Sequence, residues 1–290
     1  MFGCRWASDL PLDAFHPTTT ADRAHDITVT HCFDAAPARA NPTPPKLAQV
    51  AADGVRLHIP GILTADSFGP NRIEIRTEPA FTGELPPGFF GTLTGAVLAW
   101  RGLLPMHGSA VLLDNKAILI CGASGAGKST FTAALLAAGA RFLSDDLTVL
   151  HPRAESAPAI FAGRRSLRLY PITANWLAAH AACKLSPLLE DGKHLVTPTA
   201  ADPSTAFPLA AIVLLGESSA EADTLHTHVY RPKITATLPW HFARESQLRN
   251  LTRSVPAIHL PRMEARDTAS LDALSQHVDL LRNTLRIHLA

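Results

Sequence analysis

The spacing of apolar residues changes character near residue 100. Before it, Gly54-Val55-Arg56-Leu57-His58-Ile59 and Arg72-Ile73-Glu74-Ile75-Arg76 alternate apolar with polar positions. That period of two predicts half-buried strands. Ile27-Thr28-Val29-Thr30 is a shorter piece of the same kind, and Ala35 to Lys46, with Pro37, Pro42, Pro44 and Pro45, reads as an extended linker. Thr92 to Trp100 is apolar at helical spacing and stops at Gly102. Residues 1–100 are thus expected to form a small, mostly β region with no recognisable chemistry.

After residue 100 the strands lose their polar face. Ala117-Ile118-Leu119-Ile120-Cys121 and Leu209-Ala210-Ala211-Ile212-Val213-Leu214-Leu215 are continuous apolar runs, as expected of strands buried on both sides. Ser109 to Leu113 is a further strand, and Asp114-Asn115 suits a two-residue hairpin turn that pairs Leu113 with Lys116. Thr130 to Ala138 is rich in Ala and Leu and predicts a helix, with Gly139 as its C-terminal stop. Arg141 to Leu150 follows as another strand. From Thr268, the positions Leu271, Leu274, Val278, Leu281 and Leu285 repeat at three and four residues, an amphipathic helix capped by Asp267 or Thr268. Residues 101–290 are therefore expected to form an α/β domain.

Between the strand at 117–121 and the helix lies Gly122-Ala123-Ser124-Gly125-Ala126-Gly127-Lys128-Ser129. It matches GxxxxGK[ST] at every specified position. Strand, glycine turn and helix in that order aim backbone N–H groups and the positive helix end at an anion. Residues Gly122 to Thr130 would surround a nucleotide's phosphates, with the Lys128 ammonium on the β- and γ-phosphates and the Ser129 hydroxyl on Mg²⁺.

Three further features bear on chemistry. Counting back from Leu113–Lys116 along an antiparallel ladder sets His107 opposite Gly122, beside the turn; a histidine that merely ends a strand is the plainer reading. Asp145-Asp146 closes the strand after the helix, on the side where parallel α/β sheets bind ligands. One carboxylate can serve a metal and the other accept a proton, provided that the chain turns at the pair. Arg168, and less directly Arg165 and Lys193, offer cations for a transferring phosphoryl, or are solvated surface charges. Glu217, after four apolar residues, imitates the acid of ordinary ATPases. His226 and His228 would share one face of a strand and could ligate a metal, although no third ligand accompanies them.

Composition narrows the setting. A net charge of +1 gives no reason to expect nucleic acid or an anionic membrane as partner. Cys4, Cys32, Cys121 and Cys183 form no close pair, which argues against a disulfide framework or zinc site and for a reducing cytoplasm. No apolar run reaches the length of a signal core or a membrane span. A cytoplasmic location is expected.

The order His107-Gly108, apolar hairpin, Gly-Ala-Ser-Gly-Ala-Gly-Lys-Ser, Ala/Leu helix, Gly139 and Ser144-Asp145-Asp146 resembles the catalytic domain of HPr kinase/phosphorylase. The opening Phe2-Gly3-Cys4-Arg5-Trp6-Ala7-Ser8-Asp9-Leu10-Pro11-Leu12, together with Gly102 to Val111, is similar to shorter HPr-kinase-like proteins found beside genes for ribosomal peptides, lasso peptides among them. The Glu-Ile-Arg-Gly segment of true HPr kinases is not recognisable. Arg164-Arg165-Ser166-Leu167-Arg168-Leu169-Tyr170 stands roughly where the shorter relatives have an Arg/Lys-containing apolar strand. The resemblance implies a phosphate-loop kinase core shared with phosphoenolpyruvate carboxykinase, ATP and Mg²⁺ as cofactors, and phosphorylation of a serine in a peptide or protein, a lasso-type precursor being the plausible acceptor. It implies that Lys128 and Ser129 hold phosphates and Mg²⁺, that one of Asp145 and Asp146 is the base and the other, Asp146 for choice, is on the metal side, and that His107 stands near the reacting phosphate. A homo-oligomer is compatible with it. A nucleotide-dependent ATPase switch and a non-catalytic nucleotide-binding peptide chaperone remain the alternatives.

Overall fold

The computed structural model describes residues 1–12, 26–32, 48–51, 54–86, 88–153, 156–216, 222–235, 241–263 and 267–288. The linker expected at Ala35 to Lys46 and the Glu217 carboxylate lie outside them.

The chain is a mixed α/β protein. Its first sheet holds β1 (Trp6–Ser8), β2 (Ile27–His31), β3 (Ala48–Ala51), β4 (Gly54–Ile59), β5 (Leu63–Phe68) and β6 (Arg72–Thr77), in the order β1-β2-β6-β5-β4-β3. The alternation in β4 and β6 sends Val55, Leu57, Ile73 and Ile75 into the core. The opposite face is less open than period two implies. Arg56 is buried there and forks onto Asp66 at 2.7 and 3.1 Å, and Arg76 bridges Asp66 at 3.3 Å to Glu74 at 3.1 Å. A buried arginine needs such partners to offset its lost hydration. A π-helical turn at Phe89–Leu93 runs into α1 (Thr94–Trp100), which leads to the second sheet.

That sheet contains β7 (Leu104–His107), β8 (Ser109–Leu113) and β9 (Lys116–Gly122), followed by α2 (Lys128–Ala137), β10 (Arg141–Ser144), β11 (Leu147–His151) and β12 (Ala159–Ile160). Next come β13 (Leu167–Leu169), α3 (Pro171–His180), β14 (Cys183–Leu188) and β15 (His194–Pro198), whose strands make a separate small sheet. The chain ends with β16 (Phe207–Leu215), α4 (Ala222–Thr227), α5 (Pro232–Thr235), α6 (His241–Ser254), β17 (Ala257–Leu260), α7 (Thr268–Asp272) and α8 (Leu274–His288). The second sheet runs β10-β8-β9-β16-β12-β11-β7, with β17 also on β16.

The hairpin forms as the spacing predicts, with Leu113 opposite Lys116 and Asp114 and Asn115 at φ 49° and 61°. The apolar strands divide their side chains between two cores. Leu119, Cys121, Ile212 and Leu214 share one core with residues of the N-terminal sheet, α1 and α6, whereas Ile118, Ile120, Val213 and Leu215 share another with residues of α2, α3, α7 and α8. That explains the missing polar face. Leu271, Leu274, Val278, Leu281 and Leu285 are all buried, behind a capping box in which Asp267 accepts from the Ser270 N–H at 2.7 Å. Because β9, β16 and β17 are parallel and β10 is antiparallel to β8, their carboxyl ends share one edge of the sheet.

The N-terminal residues belong to this core. Phe2 is fully buried, its N–H donates to Ala162 O at 3.0 Å and its carbonyl accepts from His151 Nε2 at 2.8 Å. Replacing Phe2 by Ala should destabilise the protein by about 3–5 kcal/mol, read as a lower urea midpoint with unchanged slope.

Candidate functional site

The site lies at that carboxyl edge. β9 ends at Gly122, a tight turn follows in which the Ala126 N–H donates to Ala123 O at 3.1 Å, and α2 begins at Lys128. Gly127 caps the helix at φ 90°, and a Cβ there would stand 2.1 Å from Met263 O. Only glycine allows both the left-handed backbone and that approach. Met263, just beyond β17, also donates its N–H to Ala126 O at 3.0 Å and so straps the turn to the sheet. No side chain caps the start of α2. Its first N–H groups are therefore available to an anion. Ala123, Ser124 and Gly125 are exposed, and Lys128, Ser129 and Thr130 half-buried. The Lys128 ammonium donates to Gly122 O at 2.9 Å and Ala123 O at 3.1 Å. Burial lowers its pKa, opposed by the charges of Asp145 and Asp146.

The aspartates sit where two neighbouring chain segments kink together. β7 and β8 are one run of chain bent at Gly108, and β10 and β11 are another bent at Asp145-Asp146. β8 pairs with β10, and β7 with β11, antiparallel in both cases. Asp146 takes φ 66°, and the Leu147 N–H turns back to Asp145 O at 2.8 Å. The Thr148 hydroxyl donates to Gly108 O at 3.0 Å across the bends. This turn releases the two carboxylates from the opposite faces of a strand.

Their environments differ. Asp145 is buried and accepts from the Ser109 hydroxyl, from the Ser129 hydroxyl at 3.1 and 3.3 Å, and from the Arg168 N–H at 3.4 Å. Burial raises its pKa more than these donors lower it. Asp146 is half exposed, with His107 Nδ1 at 3.3 Å and the Tyr230 hydroxyl donating at 3.2 Å. Burial would raise this carboxyl too, but His107, the Tyr230 hydroxyl and the charge of Arg164 outweigh it and hold it below the usual carboxylate range. Tyr230 is itself pushed up to about 12, by burial first and then by Asp146.

The structure rearranges several expectations. The β8–β9 ladder ends at Ser109 opposite Ile120, and His107 pairs with Leu147 of β11 rather than with Gly122. The bend at Gly108 breaks the register that simple counting assumes. His107 therefore meets Asp146. Ser129 bonds Asp145, not Asp146. The Arg168 guanidinium turns to Asp191 at 2.6 Å, and only the backbone of Arg168 touches the aspartates. Lys193 lies 4.7 Å over the Tyr170 ring. His226 is in the last turn of α4 and His228 just beyond it, so they do not share a strand face. Among the described residues no three His, Cys, Asp or Glu side chains form a metal cluster.

Sequence reasoning did not single out Ser109, Arg164 or Tyr230. Ser109 carries a signal in retrospect, a lone hydroxyl opening an apolar strand. Tyr230 is 84 residues from Asp146, in a stretch without periodicity, and nothing local marks it.

The raised pKa of Asp145 has a signed consequence. A group whose folded pKa is raised adds stability below its unfolded value, ordinarily 3.8, and that stability is lost as pH rises through the folded value. Wild type should therefore lose stability relative to Asp145→Asn as the pH rises from about 4 through neutrality. Melting temperatures of the two proteins across that range test it; parallel curves would exclude the buried charge.

No family model and no curated protein matches the chain. Among solved structures it is similar to the HPr(Ser) kinase/phosphatase from Coxiella burnetii, at 13% identity and a TM-score of 0.24, over 38% of this chain and 64% of that one. The chain thus spans less than two thirds of that protein's length, and at this TM-score the likeness decides neither fold nor activity. No helix among the described residues is long and apolar enough to cross a membrane.

Proposed function

We propose that this protein is an ATP-dependent kinase with a phosphate-loop core, which transfers the γ-phosphoryl of Mg-ATP to a serine hydroxyl of a peptide or protein. One observation carries the reading: the Ser129 hydroxyl of the glycine turn is bonded to Asp145, while the adjacent Asp146 turns outward to His107. A turn that bound nothing would need neither the open helix start nor two carboxylates in opposite environments.

The residues present fit the substrate. The turn from Gly122 to Gly127 and the start of α2 supply N–H donors for phosphate oxygens. Lys128 would exchange the carbonyls of Gly122 and Ala123 for the triphosphate, a partner that compensates its burial better. Ser129 and Asp145 offer a hydroxyl and one carboxylate, which suits Mg²⁺ because that ion keeps waters and phosphate oxygens in most of its positions. Mg²⁺ arriving with ATP neutralises charge on the phosphates. We assign the metal side to Asp145 and the proton to Asp146. Asp145 faces the Ser129 hydroxyl at the start of α2, whereas Asp146 is held ionised and is open to an acceptor.

In transfer, the serine oxygen forms a bond to the γ-phosphorus as the bond from that phosphorus to the β-bridging oxygen breaks and ADP leaves. The serine proton passes to an Asp146 oxygen. His107 and Tyr230 hold that carboxylate in place. A weak base suffices where the transition state is loose and positioning dominates. The choice of serine on a peptide, with a lasso-type precursor as one candidate, rests on the sequence resemblance of residues 103–150 alone.

Incubation with Mg-ATP and serine-containing peptides, followed by mass spectrometry beside a no-peptide control, tests the assignment. A phosphate gained on serine supports a kinase; rapid ADP release that no acceptor accelerates would replace it with an ATPase. Lys128→Ala should abolish turnover in a folded protein. Asp146→Asn should slow transfer by about 10²–10³-fold with ATP still bound, and full activity would move the base elsewhere.

A further inference from the structure

Arg164 is a cation that the fold holds beside the aspartates without giving it an anion. It lies on the connection from β12 to β13. Its charge interacts with those of Asp146 and Asp145, yet it forms no ion pair among the described residues, and its buried Nε has no hydrogen-bond partner there. A guanidinium meant to neutralise a carboxylate forks onto it through two N–H groups, as Arg56 does on Asp66. Instead, the Arg164 guanidinium stands 5.6 Å above the Phe90 ring. Burying a charge without a matched partner is costly, and burial does lower the affinity of this guanidinium for its proton.

The surroundings fix it there. Gly163 donates its N–H to Leu143 O at 2.7 Å, at the end of β10 two residues before Asp145. On its other side a Cβ at Gly163 would stand 2.3 Å from a ring carbon of Phe2, and the Phe2 N–H holds Ala162 O. The backbone leading into Arg164 is thus clamped between the aspartate strand and the buried N-terminus. Phe90, also from the first hundred residues, forms the floor.

We propose that Arg164 is a catalytic residue whose guanidinium bonds the equatorial oxygens of the transferring phosphoryl group, with Phe2 and Phe90 as positioning residues; this rests on the kinase reading above. A phosphoryl group between Lys128 and Asp146 supplies the anion that the folded chain withholds from Arg164. It also gives the N-terminal region a part in the site, as the wall against which this cation is set. Arg168, bound to Asp191, is left with a structural place.

The test is steady-state kinetics of wild type, Lys128→Ala, Arg164→Lys and Arg164→Gly with Mg-ATP and an unphosphorylated serine peptide that wild type phosphorylates, each variant's melting temperature being measured alongside. The expected result is a kcat about 10²-fold lower in both Arg164 variants, with KM for ATP within about twofold of wild type. Added guanidinium ion should restore part of the rate to Arg164→Gly and none to Lys128→Ala. If Arg164→Gly does not fold, Arg164→Lys decides alone, since it keeps the charge and loses only the planar fork. A kcat within threefold of wild type, or a loss confined to KM, overturns the role of Arg164 and leaves the kinase standing. Absence of any Lys128-dependent turnover in wild type overturns both.

Discussion

The double bend at Gly108 and Asp145-Asp146 is the constraint on which the site depends. Two chain segments pair, bend at the same level, and pair again on the far side, so that β10 lies on β8 and β8 on β9, the strand that leads into the glycine turn, while β7 and β11 pass to the other part of the sheet. A straight strand would send Asp145 and Asp146 to opposite faces. The bend costs backbone strain at Asp146, which sits in the left-handed region without being glycine. That strain is offset by bonds across the bend, from the Thr148 hydroxyl to Gly108 O and from Tyr230 and His107 to Asp146 itself. Strain of this kind survives only where the surroundings determine it several times over.

From the bend follows the contrast between the carboxylates. Asp145 stays inside, against Ser109 and Ser129, and burial raises its pKa. Asp146 emerges toward His107 and is held ionised. Neighbouring residues of one type acquire opposite tendencies because the backbone turns between them. On the proposed kinase reading, this contrast would let one dipeptide serve both a metal and a proton.

What could be read from the chain follows the range of the interactions concerned. The Asp114-Asn115 turn, the double-sided burial of β9 and β16, the capped start and apolar stripe of the C-terminal helical segment, though not its break between α7 and α8, and the glycine turn are set by residues a few positions apart. They were legible. His107 was placed at the right end of the sheet but on the wrong partner, because a register count carries through a bend that nothing in the apolar pattern announces. Arg164 and Tyr230 were out of reach for a different reason. Each acquires meaning only from tertiary neighbours, Phe2 and Phe90 for the one and Asp146 for the other. In a row of three arginines, Arg164, Arg165 and Arg168, sequence spacing favours Arg168, which is in the strand but is paired with Asp191, whereas the guanidinium that is desolvated beside the aspartates without an ion pair among the described residues is that of Arg164.

The N-terminal sheet, too, acquires its part from tertiary contacts. Its alternating strands look like a scaffold with one face to solvent, and its charged face is in fact satisfied within itself through Arg56, Asp66, Arg76 and Glu74. The contribution of the first hundred residues to the site passes instead through apolar contacts, Phe2 against Gly163 and Phe90 beneath Arg164. An aromatic face and a buried backbone clamp fix the position of a guanidinium without neutralising it, whereas a carboxylate in their place would quench the charge. A cation held ready for an anion that comes and goes must be positioned by groups that do not compete for it.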